Sequence, residues 1–289
     1  MKYVYSIAGL SKQAFFQYEE RKQKDSVYYD LLFEKVDEIR IIHPKIGVRK
    51  IYGMLMPEHI GRDKFETLLL QNGYRVDYPR NYIRTTYSVK CYQYKNLIKG
   101  IELTGVNLVW QSDITYIWVL TKFYYLVFII DVYSRRIIGH NASNSLETTS
   151  NIKALAMAFR KRGRKKYKGL VHHSDRGSQY ASDAYTSMLT LNGCEISMCN
   201  AAYENAYAER VNGIIKNEYL RCKNITSFSA LEKELNHAVN AYNNTRPHLS
   251  LVNKLSPVNF EKYVLTLSAE ERPKVTLYTD GQKQEVNYE

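Results

Sequence analysis

The sequence is poor in cysteine and has no long hydrophobic run. Its four cysteines, at positions 91, 194, 199 and 222, form no CxxC pair and no zinc-ligand spacing with histidine, which indicates reduced thiols in a cytosolic setting. The longest apolar run, FYYLVFII at 123–130, is far too short to cross a bilayer. Because Met1 is not followed by the apolar region of a signal peptide, we expect a protein that is neither secreted nor embedded in a membrane.

Acidic residues are also scarce relative to basic ones. The chain has 29 Asp and Glu against 41 Lys and Arg, a formal charge of +12 and a pI near 9.3. Such a balance favours a polyanionic partner such as nucleic acid. The 289 residues, 45% of them hydrophobic, are enough for one large globular domain or two modest ones.

Helical patterns fill most of the first hundred residues. Apolar residues recur at helical spacing, and turn or stop residues separate the segments. The predicted helices cover 5–24, 27–44, 47–55 and 62–74, the second ending at Pro44 and the last at Asn72-Gly73. The residues that follow, up to 103, are rich in Arg, Lys, Tyr and Thr and predict a linker.

Residues 47–74 are consistent with a helix-turn-helix. A turn containing Pro57 and Gly61 separates the two helices, and the second helix begins with Arg62 and Lys64. In this motif the first side chains of the second helix reach base edges in the major groove. Arg62 and Lys64 are therefore candidate DNA contacts. A small helical bundle with solvated charges fits the same pattern.

From residue 107 the pattern changes to that of an α/β domain. In LVWQSDITYI, apolar and polar residues alternate, which predicts a strand covered on one face, with Asp113 on its polar face. Two further β-rich runs are joined by a turn at 134–136. Helix, strand, helix, strand and helix follow at 147–163, 169–175, 182–193, 194–198 and from about 204. This order resembles the ribonuclease-H-like fold, a mixed five-stranded sheet with flanking helices.

Three carboxylates fall at the catalytic positions of that fold. Asp113 lies on the first strand, Asp175 at the tip of the fourth, and a glutamate on the helix after the fifth. Such a set can hold two Mg²⁺ ions that activate the attacking oxygen and stabilise the leaving oxygen of a phosphodiester. Asp131 and Glu195 are rival acids; we expect Asp131 to cap the hairpin turn and Glu195 to face solvent.

Helix phase selects one of two glutamates in NAAYENAYAERVNGIIKNEY. At about 100° per residue, Glu209 shares its face with Asn205, Asn212 and Lys216, opposite an apolar face. Glu204 belongs to the loop that enters the helix. Lys216 could reach a DNA phosphate or be an ordinary solvated lysine, and we count Asn205 and Asn212 with it as candidate DNA contacts.

Other features carry weaker signals. Lys165 and Lys166 lie in the basic segment RKRGRKKYKG, which either grips phosphates or is a solvated loop. His172 and His173 precede Asp175 on a buried strand, so at least one of them should be a core residue, and His173 is close enough to orient a metal site.

Five motifs in order resemble bacterial transposases of the insertion-sequence-three family, whose core is similar to retroviral integrase. They are VWQSDITYI, IIDVYSRRIIG, HHSDRGSQY, ENAYAERVNGIIKNE and YNNTRPHLSLVNKLSPVNF. The resemblance spans about 44–262 and includes HPKIGVRKIYGML. In the last motif we expect Tyr242, Arg246 and His248 mainly to pack the final helix, with possible DNA contact. The loop CNAAYEN before Glu209 is shorter than is usual in this family.

The resemblance implies a DDE transposase in which Asp113, Asp175 and Glu209 bind Mg²⁺, for which Mn²⁺ can substitute. It implies cleavage of transposon 3′ ends by water and attack of the freed 3′-OH on target DNA, without a covalent protein–DNA intermediate. The expected partners are DNA, further copies of the chain, and a product of the upstream reading frame to which the chain is fused or bound. A bacterial cytoplasmic location follows, with nucleoid association when DNA is bound.

Two other functions remain open. The protein could be an inactive or repurposed DNA-binding protein with the same fold, or a ribonuclease-H-type nuclease acting on RNA–DNA hybrids. The predicted parts are a helical DNA-binding region at 1–85, a linker at 86–103, a catalytic core with C-terminal helix at 104–263, and a polar tail at 264–289 that is flexible after Pro273.

Overall fold

The computed structural model describes residues 11–77, 94–163, 167–199 and 201–278. Contacts divide the chain into two compact units, Met1–Arg75 and Val76–Glu289. The first unit ends before residue 85, where the sequence pattern had placed the limit of the helical region.

Three helices form the first unit. They are α1 (Lys12–Ile42), α2 (Val48–Leu55) and α3 (Arg62–Gln71). The prediction of separate helices at 5–24 and 27–44 was wrong for the described residues, because α1 runs on without a break. Ser11 caps its start by accepting a hydrogen bond from the Ala14 N–H at 3.0 Å, and no Pro or Gly interrupts the segment.

The predicted pair of short helices is confirmed. The last helix ends at the predicted signal, where Gly73 adopts φ +84°, a conformation that favours glycine. Tyr52 of α2 packs edge-on against Phe65 of α3, with ring centroids 5.4 Å apart. The fully or nearly fully buried apolar side chains of this unit come from all three helices and the turns between them: Leu32, Val36, Ile46, Ile51, Ile60, Phe65 and Leu69.

The second unit is built on a mixed five-stranded sheet. Its strands are β2 (Val109–Val119), β3 (Lys122–Asp131), β4 (Ile137–Ser143), β5 (Val171–Ser174) and β6 (Glu195–Met198). The spatial order is β4-β3-β2-β5-β6. The first three strands pair antiparallel, and β5 and β6 run parallel to β2. This topology, with helices on both faces, confirms the predicted ribonuclease-H-like fold.

Helices follow the strands in the predicted order. They are α4 (Thr148–Arg162), α5 (Ser178–Ala181), α6 (Asp183–Leu191), α7 (Ala206–Ile214), α8 (Phe228–Asn244) and α9 (Pro257–Leu265). Helix α4 lies so close to β4 that a Cβ atom added at Gly139 would collide with the carbonyl of Ala154. Glycine at this position allows the close contact of helix and strand.

The prediction that the first core strand is covered on one face was wrong. Trp110 packs with Phe159 of α4, ring centroids 5.5 Å apart, in one apolar cluster. Ile117 and Val119 belong to a second cluster with α7 and α8 on the other face. Since β2 is the central strand, helices cover it from both sides, and Gln111 on its polar face is fully buried.

The ends of this unit also differ from the predicted linker and polar tail. A strand β1 (Glu102–Leu103) pairs antiparallel with β7 (Val275–Thr276). Ile98 and Leu277 are completely buried in the same apolar cluster. Residues 94–103 and 264–278 therefore belong to the folded unit, because their few apolar side chains fill a gap beside the sheet.

Candidate active site

The parallel pairing of β2 with β5 brings two of the predicted acids together. Ser112 of β2 is in register with Ser174 of β5, the last pair of that ladder. Asp113 and Asp175 are the next residues of the two strands, so both lie at the point where the strands diverge. The carboxyl end of a parallel strand pair is a common location for ligand sites in α/β proteins.

Three hydrogen bonds fix the start of α7 against the same strand. The Gln111 side chain accepts from the Ala208 N–H at 3.3 Å, and the Asn205 amide donates to the Ser112 carbonyl at 3.0 Å. One turn further, the Asn212 amide donates to Oδ2 of Asp113 at 2.7 Å. These bonds link the helix that carries Glu209 to the strand that carries Asp113.

The three acids act on one another electrostatically. Burial raises the pKa of Asp113 well above its usual value, and the charges of Asp175 and then Glu209 raise it further. Loss of hydration raises the pKa of Glu209, the most exposed of the three, and the charge of Asp175 adds to this effect. Burial also raises the pKa of Asp175, although a hydrogen bond from the Gly177 N–H at 3.1 Å opposes the shift.

Glu204 has a different environment from Glu209. It lies in a 3₁₀ turn, Ala202–Asn205, and is buried, with its carboxylate accepting a hydrogen bond from the Ala201 N–H at 3.2 Å. Its backbone carbonyl accepts from the Gln111 side chain at 3.0 Å. Its assignment to the loop that enters the helix is confirmed, and its carboxylate stabilises that loop.

Two segments of the chain, 104–203 and 193–257, match the integrase core domain family. The chain is 33% identical over 209 residues to the transposase of insertion sequence IS629 from Shigella sonnei. The aligned region covers 71% of this chain and 70% of the relative. The chain belongs to the insertion-sequence transposases. The family resemblance of the motifs is thereby confirmed, and the family is one of enzymes that cut and join DNA.

Other relatives of this transposase extend the comparison. It is 32% identical over 161 residues to transposase InsF of IS3A from Escherichia coli K12, covering 55% of each chain. It is 28% identical over 268 residues to a 31 kDa protein of insertion element IS600 from Shigella sonnei, covering 89% of this chain and 97% of the relative. The HTLV-2 integrase catalytic core in complex with magnesium gives a TM-score of 0.44 at 20% identity, covering 58% of the transposase and 99% of the viral chain.

The predicted DNA-contacting residues of the transposase fall into different environments. Asn205 and Asn212 are buried, 2% and 4% exposed, so their assignment as DNA contacts is corrected: their amides bond to β2. Lys216 lies in a π-helical turn after α7, half-buried, with Nζ 5.2 Å from the Tyr116 ring centroid. Its charge lowers the pKa of Asp113, against the larger effect of burial.

In the first unit, Arg62 and Lys64 are both exposed at the start of α3. Arg62 pairs with Asp63 at 2.9 Å, and Lys64 Nζ is 5.7 Å from the Tyr29 ring centroid. Both side chains remain accessible to solvent. Lys165 and Lys166 lie outside the described residues.

The two histidines before Asp175 are core residues. His172 contacts the Tyr185 hydroxyl through Nε2 at 3.0 Å, and His173 contacts the Ser197 hydroxyl through Nδ1 at 2.8 Å. Burial lowers the pKa of His172 to about 3 and that of His173 to about 4. Both rings are therefore neutral at physiological pH.

The rival acids have the roles that the sequence predicted. Asp131 is fully buried and accepts hydrogen bonds from the Ser134 N–H at 3.0 Å and the Asn107 N–H at 2.7 Å. It caps the turn between β3 and β4. Glu195 is exposed on β6.

The last of the five sequence motifs packs inside the protein. Arg246 donates two hydrogen bonds to the Glu218 carboxylate, both at 2.7 Å, and is only 3% exposed. Tyr242 donates to the Arg135 carbonyl at 3.0 Å, and His248 packs edge-on against its ring at 4.9 Å. The predicted packing role is confirmed, and burial leaves these side chains no surface for DNA.

Gln111 is the site residue whose role the sequence did not reveal. Its side chain contacts the Glu204 carbonyl, the Ala208 N–H and the Tyr278 hydroxyl, the last at 3.1 Å. The sequence did contain one indication of this role: Gln111 stands two residues before Asp113 and therefore lies on the same face of the strand.

The carboxylates of Asp113, Asp175 and Glu209 are the donor set that a metal ion would meet at this site. Within the described ranges, no group of three or more His, Cys, Asp or Glu side chains stands close enough to hold one. The chemistry of the donors nevertheless suits a hard divalent cation, since it consists of carboxylates. Acids that raise one another's pKa are stabilised when a cation neutralises them.

In the part of the chain that the structure describes, no helix is both long and apolar enough to span a membrane.

Proposed function

We propose that this transposase cleaves the ends of its insertion sequence and joins the freed 3′-OH to target DNA, with Asp113, Asp175 and Glu209 as its catalytic residues. The observation that supports this most is the meeting of Asp113 and Asp175 at the end of the β2–β5 ladder. Helix α7 is tied to the same strand by the bond from Asn212 to Asp113. The electrostatic effect of Asp175 and Glu209 on Asp113 further supports a common role for the three acids.

Asp113, Asp175 and Glu209 would hold Mg²⁺, for which Mn²⁺ can substitute. When bound, the metal ions supply activation of the attacking oxygen and stabilisation of the leaving oxygen. The protein itself keeps Asp113 fixed through the Asn212 amide. Lys216, whose charge already acts on Asp113, would contact a phosphate of the bound strand.

DNA is the proposed partner of both units. The net charge of +12 favours a polyanion, and the exposed Arg62 and Lys64 at the start of α3 have the position from which a helix-turn-helix reads the major groove. Two transposon ends must be brought together, so the working form would be an oligomer, with a product of the upstream reading frame as a further partner. We place the working protein in the cytoplasm, on the nucleoid when DNA is bound.

The test is a nicking and joining assay on a duplex that carries the insertion-sequence end. Asp175→Asn should lower Mg²⁺-dependent nicking by more than about 100-fold, since even outer residues of metal sites cost about 10–100-fold. Glu195→Gln, on an exposed acid of β6, is the matched control and should leave nicking unchanged.

Three outcomes would contradict the proposal. Tight metal-independent DNA binding with no nicking by the unmodified chain would indicate a repurposed DNA-binding protein. Cleavage of an RNA–DNA hybrid without joined DNA products would indicate a ribonuclease-H-type nuclease. Nicking that survives Asp175→Asn would place the chemistry elsewhere.

A further inference from the structure

The tip of the β2–β3 hairpin carries aromatic side chains that the proposed chemistry does not use. Trp118 is 56% exposed and Phe123 39%, and their ring centroids lie 4.6 Å apart in an edge-on arrangement. Tyr116 packs edge-on against the same Phe123 ring at 5.3 Å. We call Tyr116, Trp118 and Phe123 the hairpin cluster. Contiguous exposed rings of this kind mark an interaction surface.

The hairpin cluster shares strand β2 and its open edge with Asp113, although its rings lie on the other face of that strand. Strand β5 pairs with β2 only from Val109 to Ser112, so from Asp113 onward that edge of β2 has no strand partner among the residues described. The open edge leads from Asp113 to Trp118, about 16 Å at the usual rise of a strand. Lys216 lies between the two, acting on the charge of Asp113 and approaching the Tyr116 ring to 5.2 Å.

Charge indicates which kind of partner suits this surface. The segment 116–124 contains no acidic residue. Its one cation, Lys122, contacts Tyr124 on the face of the hairpin opposite to Trp118 and Phe123. Lys216 supplies the cation beside the hairpin cluster, with Nζ 5.2 Å from the Tyr116 ring centroid. Exposed rings beside a cation suit single-stranded nucleic acid, since bases stack on the rings and a phosphate meets the cation.

We propose that the hairpin cluster stacks unpaired bases of the DNA strand that leaves the active site along the open edge of β2. This inference rests on the proposed DNA function of the same site. It adds a binding surface for melted or flanking nucleotides next to the phosphodiester held at Asp113. Duplex DNA offers these rings no free base faces, because its bases are already stacked on one another.

Tryptophan fluorescence reports on the cluster directly. The chain has two tryptophans; Trp110 is completely buried and Trp118 is exposed. A short single-stranded oligonucleotide, titrated in EDTA so that no cleavage occurs, should quench Trp118. A blunt duplex of the same sequence should quench it less. An abasic oligonucleotide should not quench it.

Variants separate stacking from a structural role. Trp118→Ala or Phe123→Ala should weaken the Kd for a labelled single strand by about tenfold, whereas Trp118→Phe should stay close to the unmodified chain. Leu191→Ala, at a 75% exposed apolar side chain on α6, is the matched control and should have no effect. Thermal unfolding of each variant checks that the fold is kept.

Absence of quenching, or an unchanged Kd in both alanine variants, would overturn the inference. So would alanine variants that convert an oligomer into a monomer while single-strand affinity stays the same, because the cluster would then join protein copies. Asp175→Asn should keep the quenching and lose nicking. Quenching without nicking in the unmodified chain would therefore remove the proposed function alone, and nicking without quenching would remove this inference alone.

Discussion

Two groups of acids lie at the same sheet, and their surroundings differ in one respect. Glu261 of α9 accepts hydrogen bonds from Arg136, Arg162 and the Ser134 hydroxyl, the last two at 2.9 and 2.7 Å. Burial would raise the pKa of Glu261, but hydrogen bonds and charge from Arg162 outweigh it and leave the pKa lowered. We call Glu261 with Arg136, Arg162 and Ser134 the paired cluster. The neighbouring Asp131, 3.4 Å from Arg162, keeps a raised pKa because burial outweighs the effect of that arginine.

The proposed catalytic residues Asp113, Asp175 and Glu209, which we call the catalytic cluster, show the opposite direction from Glu261. The pKa of each is raised by burial first; the charges of Asp175 and Glu209 add to the shift of Asp113, and the charge of Asp175 adds to that of Glu209. Lys216 opposes the shift of Asp113 without overcoming it. A protein that balances one acid cluster with arginines and leaves another under mutual repulsion has a use for the second, and a ligand cation is the natural counter-charge.

The largest effect on stability should come from breaking the paired cluster. Glu261→Gln removes the charge that Arg136 and Arg162 share, which leaves Asp131, 3.4 Å from Arg162, as the remaining acid of this buried group. It should lower the free energy of unfolding by about 3–5 kcal/mol. Urea denaturation measures this change. Glu232→Gln, on an exposed acid of α8, should change it by less than about 0.5 kcal/mol. If Glu261→Gln lowers the free energy of unfolding no more than the control does, the arginines do not stabilise the paired cluster, and its contrast with the catalytic cluster is wrong.

A second prediction concerns His172, which precedes Asp175 by three residues. If it were charged, it would be a buried cation on the strand that leads to Asp175. Burial lowers its pKa from 6.5 to about 3, so the unfolded chain binds more protons between these values and stability falls as pH falls through that window. At pH 5 this effect should cost about 2 kcal/mol relative to pH 7 and above.

The measurement is the difference in unfolding free energy between pH 7 and pH 5. In His172→Gln this difference should shrink by about 2 kcal/mol, whatever the variant does to stability at pH 7. An unchanged difference would mean that the ring is protonated in the folded protein, which would contradict the neutral His172 inferred from its burial.

The smallest expected change in the free energy of unfolding is a gain from Asp113→Asn, opposite in sign to the loss expected for Glu261→Gln. Asp113→Asn removes a buried charge that Asp175 and Glu209 disfavour, and the Asn oxygen can still accept from Asn212. We expect the metal-free protein to gain about 0.5–2 kcal/mol. Thermal unfolding in EDTA measures the gain, with Glu261→Gln as the comparison of opposite sign. A destabilised Asp113→Asn variant would show that the negative charge of Asp113 stabilises the metal-free protein, contrary to this account.

Much of the catalytic cluster was predictable from sequence, for identifiable reasons. Strand periodicity placed Asp113 on the polar face of the first strand, the order of elements placed Asp175 at the end of the fourth, and helix phase chose Glu209 over Glu204. Periodicity and helix phase rely on local geometry that repeats along the chain. The short loop before the helix folds as a 3₁₀ turn that Glu204 stabilises, which sequence spacing alone did not show.

Other features depended on contacts between distant segments. Alternation along β2 separates polar from apolar side chains, but it does not show that a second layer of helices buries Gln111 as well. Leu277 stands in the short run VTLY within a polar stretch, which is too brief for a periodic signal, yet its side chain is completely buried. The ion pairs of Glu261 join segments about a hundred residues apart in sequence, and no local pattern predicts them.

The central claim is that Asp113, Asp175 and Glu209 together hold the metal ions of the reaction. Anomalous diffraction from a crystal soaked in Mn²⁺ tests it most directly, because manganese positions and their carboxylate ligands are then located independently. We predict two manganese ions coordinated between the three carboxylates, about 3.5–4 Å apart. A manganese site that leaves the Glu209 carboxylate turned away, or no bound manganese between Asp113 and Asp175, would contradict the account.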